Sequence, residues 1–327
     1  MLVSFLRAPR TCRACRTARP APMLAIALAV LVALASASDG AELDTLPHAF
    51  GVVAHAPADR ESSDDARHVL LIPGLGSPGS VWDDTVSVLT DAGYTAHVVT
   101  LAGFAGRPPI DGELLPQVRD ELEAYARGLE RPPAIVGHSL GGTMALWLAA
   151  SAPDAVGPVV AVDGVAFLPA LGDPSATVES ARAQAEQMRE MLGSMSQEQA
   201  DQQAAMTLST MITDPETVRR VAEASRGSDP ATLAQAVHDL MTRDLRPALT
   251  TVDDPVLLLA AGAAAPTAEI AAMLAARYAD QVVAVPDHRV EVVDGARHFI
   301  MLDRPEAFHA LLLEHLAGGS AASEARR

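Results

Sequence analysis

Residues 133–150 read PAIVGHSLGGTMALWLAA: a short apolar run enters Gly137-His138-Ser139-Leu140-Gly141 and continues into an amphipathic helical pattern. The pattern predicts a strand, a sharp turn and a helix, with a serine at the tip. A serine hydroxyl is a poor nucleophile unless it is held exposed beside a base, and a tight strand-to-helix turn presents it at the end of a sheet. Gly137 and Gly141 remove side chains that would collide where strand and helix close on each other. A helix start also leaves backbone N–H groups unpaired, beginning with that of Leu140, and aims them at an oxyanion formed beside the serine. The competing reading is a Gly-rich turn of a Rossmann-like protein, whose fingerprint is Gly-x-Gly-x-x-Gly after a strand.

Such a nucleophile needs a base. Of ten histidines, only His298 falls in a loop just after a late strand and before a closing helix, within Asp294-Gly295-Ala296-Arg297-His298-Phe299. His138, next to the serine, points from the other side of the turn and reads as structural. Asp294 is too close to His298 along the chain to orient its ring easily.

These residues have to be carried by regular elements. Apolar runs bounded by Gly and Pro predict strands at 49–55, 68–72, 94–101, 158–162, 255–261 and 289–293, besides the strand that leads into Ser139. Residues 59–67 form a charged turn. The second strand ends in Pro73-Gly74-Leu75-Gly76-Ser77 and the fifth in Asp163-Gly164. Helical patterns lie near 81–92, 116–129, 267–278 and 305–316. Strand and helix alternation of this kind implies a mostly parallel sheet covered on both faces, with sites at the carboxyl ends of its strands.

Between 167 and 251 the β pattern stops and four helical segments follow, near 175–192, 196–212, 215–226 and 230–243. Ser196 with Gln199 fits a capping box, and Asp214-Pro215 and Asp229-Pro230 each place a cap residue before an N1 proline. This insertion reads as a lid over the strand ends. It contains Met188, Met191, Met195, Met206, Met211 and Met241, which suit the core between lid helices or, facing the cleft, a pliable apolar pocket.

The first 37 residues stand apart. Arg7, Arg10, Arg13, Arg16 and Arg19 form a basic region without an acid, an apolar run covers 23–34, and Ala35-Ser36-Ala37 supplies a small-residue cleavage pattern. This reads as a secretory signal peptide, so the mature protein is expected to be secreted or periplasmic. The apolar run is short for a spanning helix. Both cysteines, Cys12 and Cys15, lie in the leader, which leaves the mature chain without a thiol, a disulfide or a Cys-based metal site. Without the leader, 19 basic residues face 41 acidic ones, and the net charge moves from -17 to -22. A surface that negative repels nucleic acid and anionic membranes. The organisation is then a leader at 1–37, a first core segment at 38–166, a helical cap at 167–251, a second core segment at 252–317 and a disordered tail at 318–327.

Taken together and in this order, the Gly-His-Ser-Leu-Gly elbow, the early strand ending in Pro-Gly-Leu-Gly, the helical insertion and the late Gly-x-x-His-Phe resemble the α/β-hydrolase superfamily over nearly the whole mature chain. The resemblance implies a helical cap after the sixth strand, with Ser139 as nucleophile and His298 as general base and then acid. It implies backbone N–H groups of Leu75 and Leu140 as the oxyanion hole, with no cofactor or metal. Relatives usually carry His-Gly where this chain has Pro73-Gly74. They most often place the triad acid after the seventh strand in a Gly-x-x-Asp pattern, and here Gly262-Ala263-Ala264-Ala265 stands there. A minority takes the acid from the end of the sixth strand. Asp163 occupies that place and is the expected triad acid, with Glu269 the alternative. The implied activity is cleavage of a small to medium carboxylic ester; thioesters, lactones and carbon–carbon bonds beside a ketone share the same attack on a carbonyl. A small-molecule binder using the same cleft without turnover is the reading to expect if no strand-end carboxylate reaches His298.

Overall fold

Seven strands form one sheet in the computed structural model, which describes residues 48–58 and 67–326, with side chains through residue 319. They are β1 (Phe50–His55), β2 (Arg67–Ile72), β3 (Tyr94–Leu101), β4 (Ala134–His138), β5 (Val159–Val162), β6 (Val256–Ala261) and β7 (His288–Val293). Their order across the sheet is β1-β3-β2-β4-β5-β6-β7. Only β1 is antiparallel; β2 to β7 run parallel, so their carboxyl ends share one edge. The leader with Cys12 and Cys15, and most of the charged turn at 59–67, lie outside the described residues.

The continuous apolar strands are explained by burial on both faces. Along β2, Leu70 and Ile72 enter one hydrophobic cluster while Val69 and Leu71 enter the other, and Val159 and Ala161 against Val160 and Val162 repeat the alternation on β5. Helices α2 (Leu114–Arg127), α3 (Leu140–Ser151) and α9 (Ala268–Val282) cover the first face. The second is covered by α1 (Asp83–Asp91) and α11 (Pro305–Arg326), with the single turn α10 (Ile300–Asp303) between β7 and α11. α3 is not amphipathic as its pattern suggested: it is buried nearly all round, because Leu140 to Ala150 contain no charged residue and the helix packs between the sheet and its neighbours.

The helical insertion leaves the sheet after β5, the fifth of the described strands rather than the sixth. It contains α4 (Pro169–Gly172), α5 (Val178–Gly193), α6 (Gln197–Met211), α7 (Pro215–Ala224) and α8 (Pro230–Thr242). The expected caps at Ser196, Asp214 and Asp229 each accept a backbone N–H three residues on, and Thr177 forms a further capping box with Ser180. The single turn α4 is an addition to the four helices expected. The two ends of the insertion meet where Leu245 N–H donates to Ala166 O at 3.0 Å. The 3-10 segment Arg246–Thr251 returns to the core: Leu249 is fully buried, and Thr251 Oγ1 donates to Ala150 O at 2.7 Å.

At the C-terminus, α11 runs to Arg326, so the expected disordered tail is helical in backbone. The sequence there, Ser320-Ala321-Ala322-Ser323-Glu324-Ala325, contains three alanines, the best helix former, and nothing after Gly318-Gly319 that breaks a helix.

Between the neighbouring strands β2 and β3, His68 and His97 are joined through Nδ1 and Nε2 at 2.9 Å, and His97 Nδ1 meets Tyr125 Oη at 2.8 Å. Burial, and then the neighbouring His68 and His55, push the His97 imidazole down to about 3. The folded state therefore holds this ring neutral, and the stability it contributes is complete above the ordinary imidazole range and lost as pH falls from there toward 3. Thermal unfolding followed from pH 7 to pH 4 is expected to show a falling melting temperature, and His97→Gln to flatten that dependence.

Candidate active site

Ser139 sits between β4 and α3 with φ 54 and ψ -117, a backbone conformation that non-glycine residues rarely adopt. Such strain costs on the order of 1–3 kcal/mol and persists only where the surroundings over-determine it. Here they do. A Cβ at Gly137 would run into the Gly141 carbonyl, and one at Gly141 into the Ile72 carbonyl, so strand and helix close backbone against backbone. Ser139 N–H donates to Val162 O at 2.8 Å and Ser139 O accepts from Thr143 N–H at 3.1 Å, which fixes the turn from both sides.

His298 lies in the loop between β7 and α10, and its Nδ1–H donates to Asp163 Oδ2 at 2.6 Å. Asp163 is the residue just past β5. Its side chain is 9% exposed, its φ is 49, and its N–H donates to Leu259 O at 2.8 Å. Aspartate tolerates this left-handed conformation better than most residues. Its second oxygen, Oδ1, accepts Tyr278 Oη–H at 2.6 Å and Ala261 N–H at 3.0 Å. Burial, followed by the Asp163 charge and this hydrogen bond, pushes the Tyr278 phenol well above its ordinary range, so it stays protonated and can only donate here. No hydrogen bond joins the Ser139 hydroxyl to the His298 ring among the described residues.

His138 lies against the His298 loop rather than on the other side of the turn, and it is buried there. Its ring packs 4.7 Å from that of His298 and 4.3 Å from that of Phe299, and its Nε2–H donates to His298 O at 3.0 Å. Because a carbonyl only accepts, the proton of this neutral ring is on Nε2, and the buried Nδ1 is a lone pair without a hydrogen-bond partner. Burial, then the nearby His298, hold this ring far below the ordinary imidazole range.

The oxyanion-hole candidates stand on the loop after β2 and at the start of α3. Neither Leu75 N–H nor Leu140 N–H finds a backbone acceptor among the described residues. The cap braces the first of these loops. The Leu75 side chain packs on Ala185, Val237 and Met241 of α5 and α8, and Ser228 Oγ lies 3.1 Å from Gly76 O while accepting Ala105 N–H at 2.8 Å. The cap also holds the His298 loop: Arg297 Nη1 donates to Ser209 O and Ile212 O, and Asp303 accepts from Thr213 and from Arg297 N–H.

Residues 74–79 do match Gly-x-Gly-x-x-Gly directly after β2, so spacing alone leaves the Rossmann-like reading standing. Its surroundings do not favour it. A Cβ at Gly74 would sit 2.8 Å from His138 Nδ1 and 3.2 Å from Ser139 Cβ, and the next α-helix opens with Asp83 and Asp84, where a pyrophosphate would meet like charge.

Glu269 is exposed in the first turn of α9, while Asp163 holds the ring. Asp294 is exposed and offers only its carbonyl, to Arg304 Nε. Met188 and Met241 pack between α5 and α8 and Met211 packs on the sheet cluster, whereas Met191 and Met206 are 51% and 59% exposed. A cavity of about 570 Å³ opens beside His298, lined by Arg297, Ser209, Thr210, Ala263 and Ala264 among others. Among the described residues no three His, Cys, Asp or Glu side chains group as metal ligands. Tyr278 was not anticipated; its only trace in the sequence is a lone tyrosine near the end of an alanine-rich helical pattern.

The model of the alpha/beta hydrolase family matches residues 69–311, and the chain belongs to that family. It is 28% identical over 269 residues to the pimeloyl-[acyl-carrier protein] methyl ester esterase of Neisseria meningitidis serogroup C, covering 80% of this chain and 98% of that one. Among solved structures it resembles the enol-lactonase from Burkholderia xenovorans LB400, with TM-score 0.64, 18% identity and coverage of 82% and 97%. It also resembles MenH from S. aureus, with TM-score 0.64, 14% identity and coverage of 84% and 100%. At these identities the solved structures speak for the fold alone.

Gly137→Ala forces a methyl group into backbone with no room to retreat, and such overpacking costs about 1–3 kcal/mol or more. The variant is expected to unfold at clearly lower urea concentration than wild type; equal midpoints would mean that the elbow yields.

Proposed function

We propose that the protein is a serine hydrolase that cleaves a small to medium carboxylic ester through an acyl-enzyme. The observation that carries this reading is the 2.6 Å hydrogen bond from His298 Nδ1–H to Asp163, beside a serine held at φ 54 between strand and helix. A ring whose Nδ1 is held by a carboxylate presents Nε2 as the base, and the same carboxylate stabilises the imidazolium that forms. Without that carboxylate a binder would be the better reading.

In this mechanism Ser139 Oγ attacks the ester carbonyl while His298 Nε2 takes its proton. The tetrahedral oxyanion is received by the N–H groups of Leu75 and Leu140. His298 returns the proton to the departing alkoxide, the alcohol leaves, and the acyl group stays on Ser139. Water, deprotonated by His298, then attacks the acyl-enzyme, and the carboxylic acid departs as the proton returns to the serine. The Ser139–His298 hydrogen bond forms in the substrate complex, since such contacts often tighten only there. The ester-cleaving relatives support the substrate class, and thioesters and lactones fit the same attack. The leader at 1–37 would export the enzyme, so that the mature N-terminus follows Ala37.

A fluorophosphonate probe is expected to label the wild-type protein and to leave Ser139→Ala unlabelled. Equal resistance of the two proteins would count against catalysis. On a panel of p-nitrophenyl esters, Asp163→Asn is expected to lower kcat by about 10³–10⁴-fold, because the amide no longer holds the productive tautomer; unchanged turnover would remove Asp163 from the triad.

A further inference from the structure

Asp163 has a feature that the triad reading does not use: its carboxylate is pinned at both oxygens. Oδ2 receives His298 Nδ1–H at 2.6 Å, and Oδ1 receives Tyr278 Oη–H at 2.6 Å together with Ala261 N–H at 3.0 Å. One partner is the triad base and one is the end of a neighbouring strand. The third comes from α9, the helix that follows the small-residue loop Gly262-Ala263-Ala264-Ala265.

Tyr278 is itself immobilised. It is 6% exposed and packs in the cluster between the sheet and α3. One turn along the same helix face, Gln281 is 2% exposed and its Oε1 accepts Phe167 N–H at 2.9 Å, where the chain enters the cap. α9 is thus tied at two adjacent turns to the segment that leaves β5. A rigid donor of this kind limits rotation of the carboxylate about its Cβ–Cγ bond, which would otherwise let Oδ2 swing off the imidazole.

We propose that Tyr278 is a positioning residue of the active site: its phenol sets the orientation and basicity of Asp163, and through Asp163 the proton affinity of His298. The proposal rests on the serine-hydrolase reading for its kinetic consequence and on geometry alone for its effect on the ring. With its phenol gone, Asp163 keeps one donor fewer on Oδ1 and becomes a stronger acceptor toward Nδ1–H, so the imidazolium is favoured. The other ionisable groups facing the ring are few. His138, from the end of β4, stays neutral through burial, and the guanidinium of Arg297 is directed at the cap carbonyls of Ser209 and Ile212.

The test is an NMR titration of the His298 ring in the full chain, with kcat and KM for a p-nitrophenyl ester measured across the same pH range. Tyr278→Phe is expected to raise the His298 midpoint by about half a pH unit or more. It should also lower kcat about 10–100-fold, the size of one lost hydrogen bond to a charged group, with KM within about twofold. The effect on the titration should vanish in an Asp163→Asn background, which a merely structural tyrosine would not produce. 3,5-Difluorotyrosine at position 278 keeps the volume and strengthens the donor, so it should move the midpoint down; it decides the matter if the Phe variant does not fold. A midpoint unmoved by either change overturns the proposal. Absence of ester turnover in wild type would sink the hydrolase reading and leave the ring titration still decisive for Tyr278.

Discussion

The packing of backbone on backbone around Ser139 is the constraint on which the rest of the site depends. Gly137 lies against the Gly141 carbonyl, Gly141 against that of Ile72, and Gly164 against that of Ser139, so β2, β4, the start of α3 and the turn after β5 meet with no side chains between them. The contact holds a serine in a strained conformation at the carboxyl edge of a parallel sheet, and buried strands on both faces prevent that edge from relaxing. Because Gly164 is part of the same contact, the turn that fixes the serine also fixes Asp163, one residue away.

That coupling gives a physical reason why the carboxylate stands at the end of β5. Asp163 adopts its own positive φ, sends one oxygen to His298, and keeps the other for Tyr278 and Ala261 N–H. The loop after β6 is then relieved of supplying an acid. Its alanines border an open cavity beside His298, and α9 beyond it contributes a phenol instead.

The helical insertion is tied to the loops of the candidate site. Its α5 and α8 pair receives the Leu75 side chain, Ser228 engages the backbone of the loops after β2 and β3, and the end of α6 accepts from Arg297 beside the catalytic-base candidate. These links are short-range and run mostly to backbone carbonyls and N–H groups; the one from Ser228 to the Gly76 carbonyl is buried, where a lost partner costs about 1–3 kcal/mol. Exposed ion pairs on the cap surface such as Arg182–Glu179 contribute little by comparison. A rearrangement of the cap would therefore be felt in the loop that carries Leu75 and in the one that carries His298.

Local sequence was enough for the alternation of strands and helices, the insertion, three of its four helix caps, the elbow and the candidacy of His298, because each is written in residues close together in the chain. Periodicity reports which faces are buried, and Gly, Pro, Ser and Asp mark where elements start and stop. It did not reveal that α11 continues to Arg326; the place of the insertion after the strand at 158–162 was legible, and only the family resemblance numbered that strand the sixth. What only the tertiary structure decided was which carboxylate meets the ring, and what holds that carboxylate in turn. Asp163, Glu269 and Asp294 are equivalent as residue types; they differ in that β5 and β7, neighbours of β6 on either side, bring residues 163 and 298 together across 135 positions of chain. The Tyr278 phenol on Asp163 and the His138 ring on the His298 carbonyl came to light for the same reason: a hydrogen bond between groups distant in sequence leaves no local pattern, since its energy depends on where the folded sheet and helices place the two atoms.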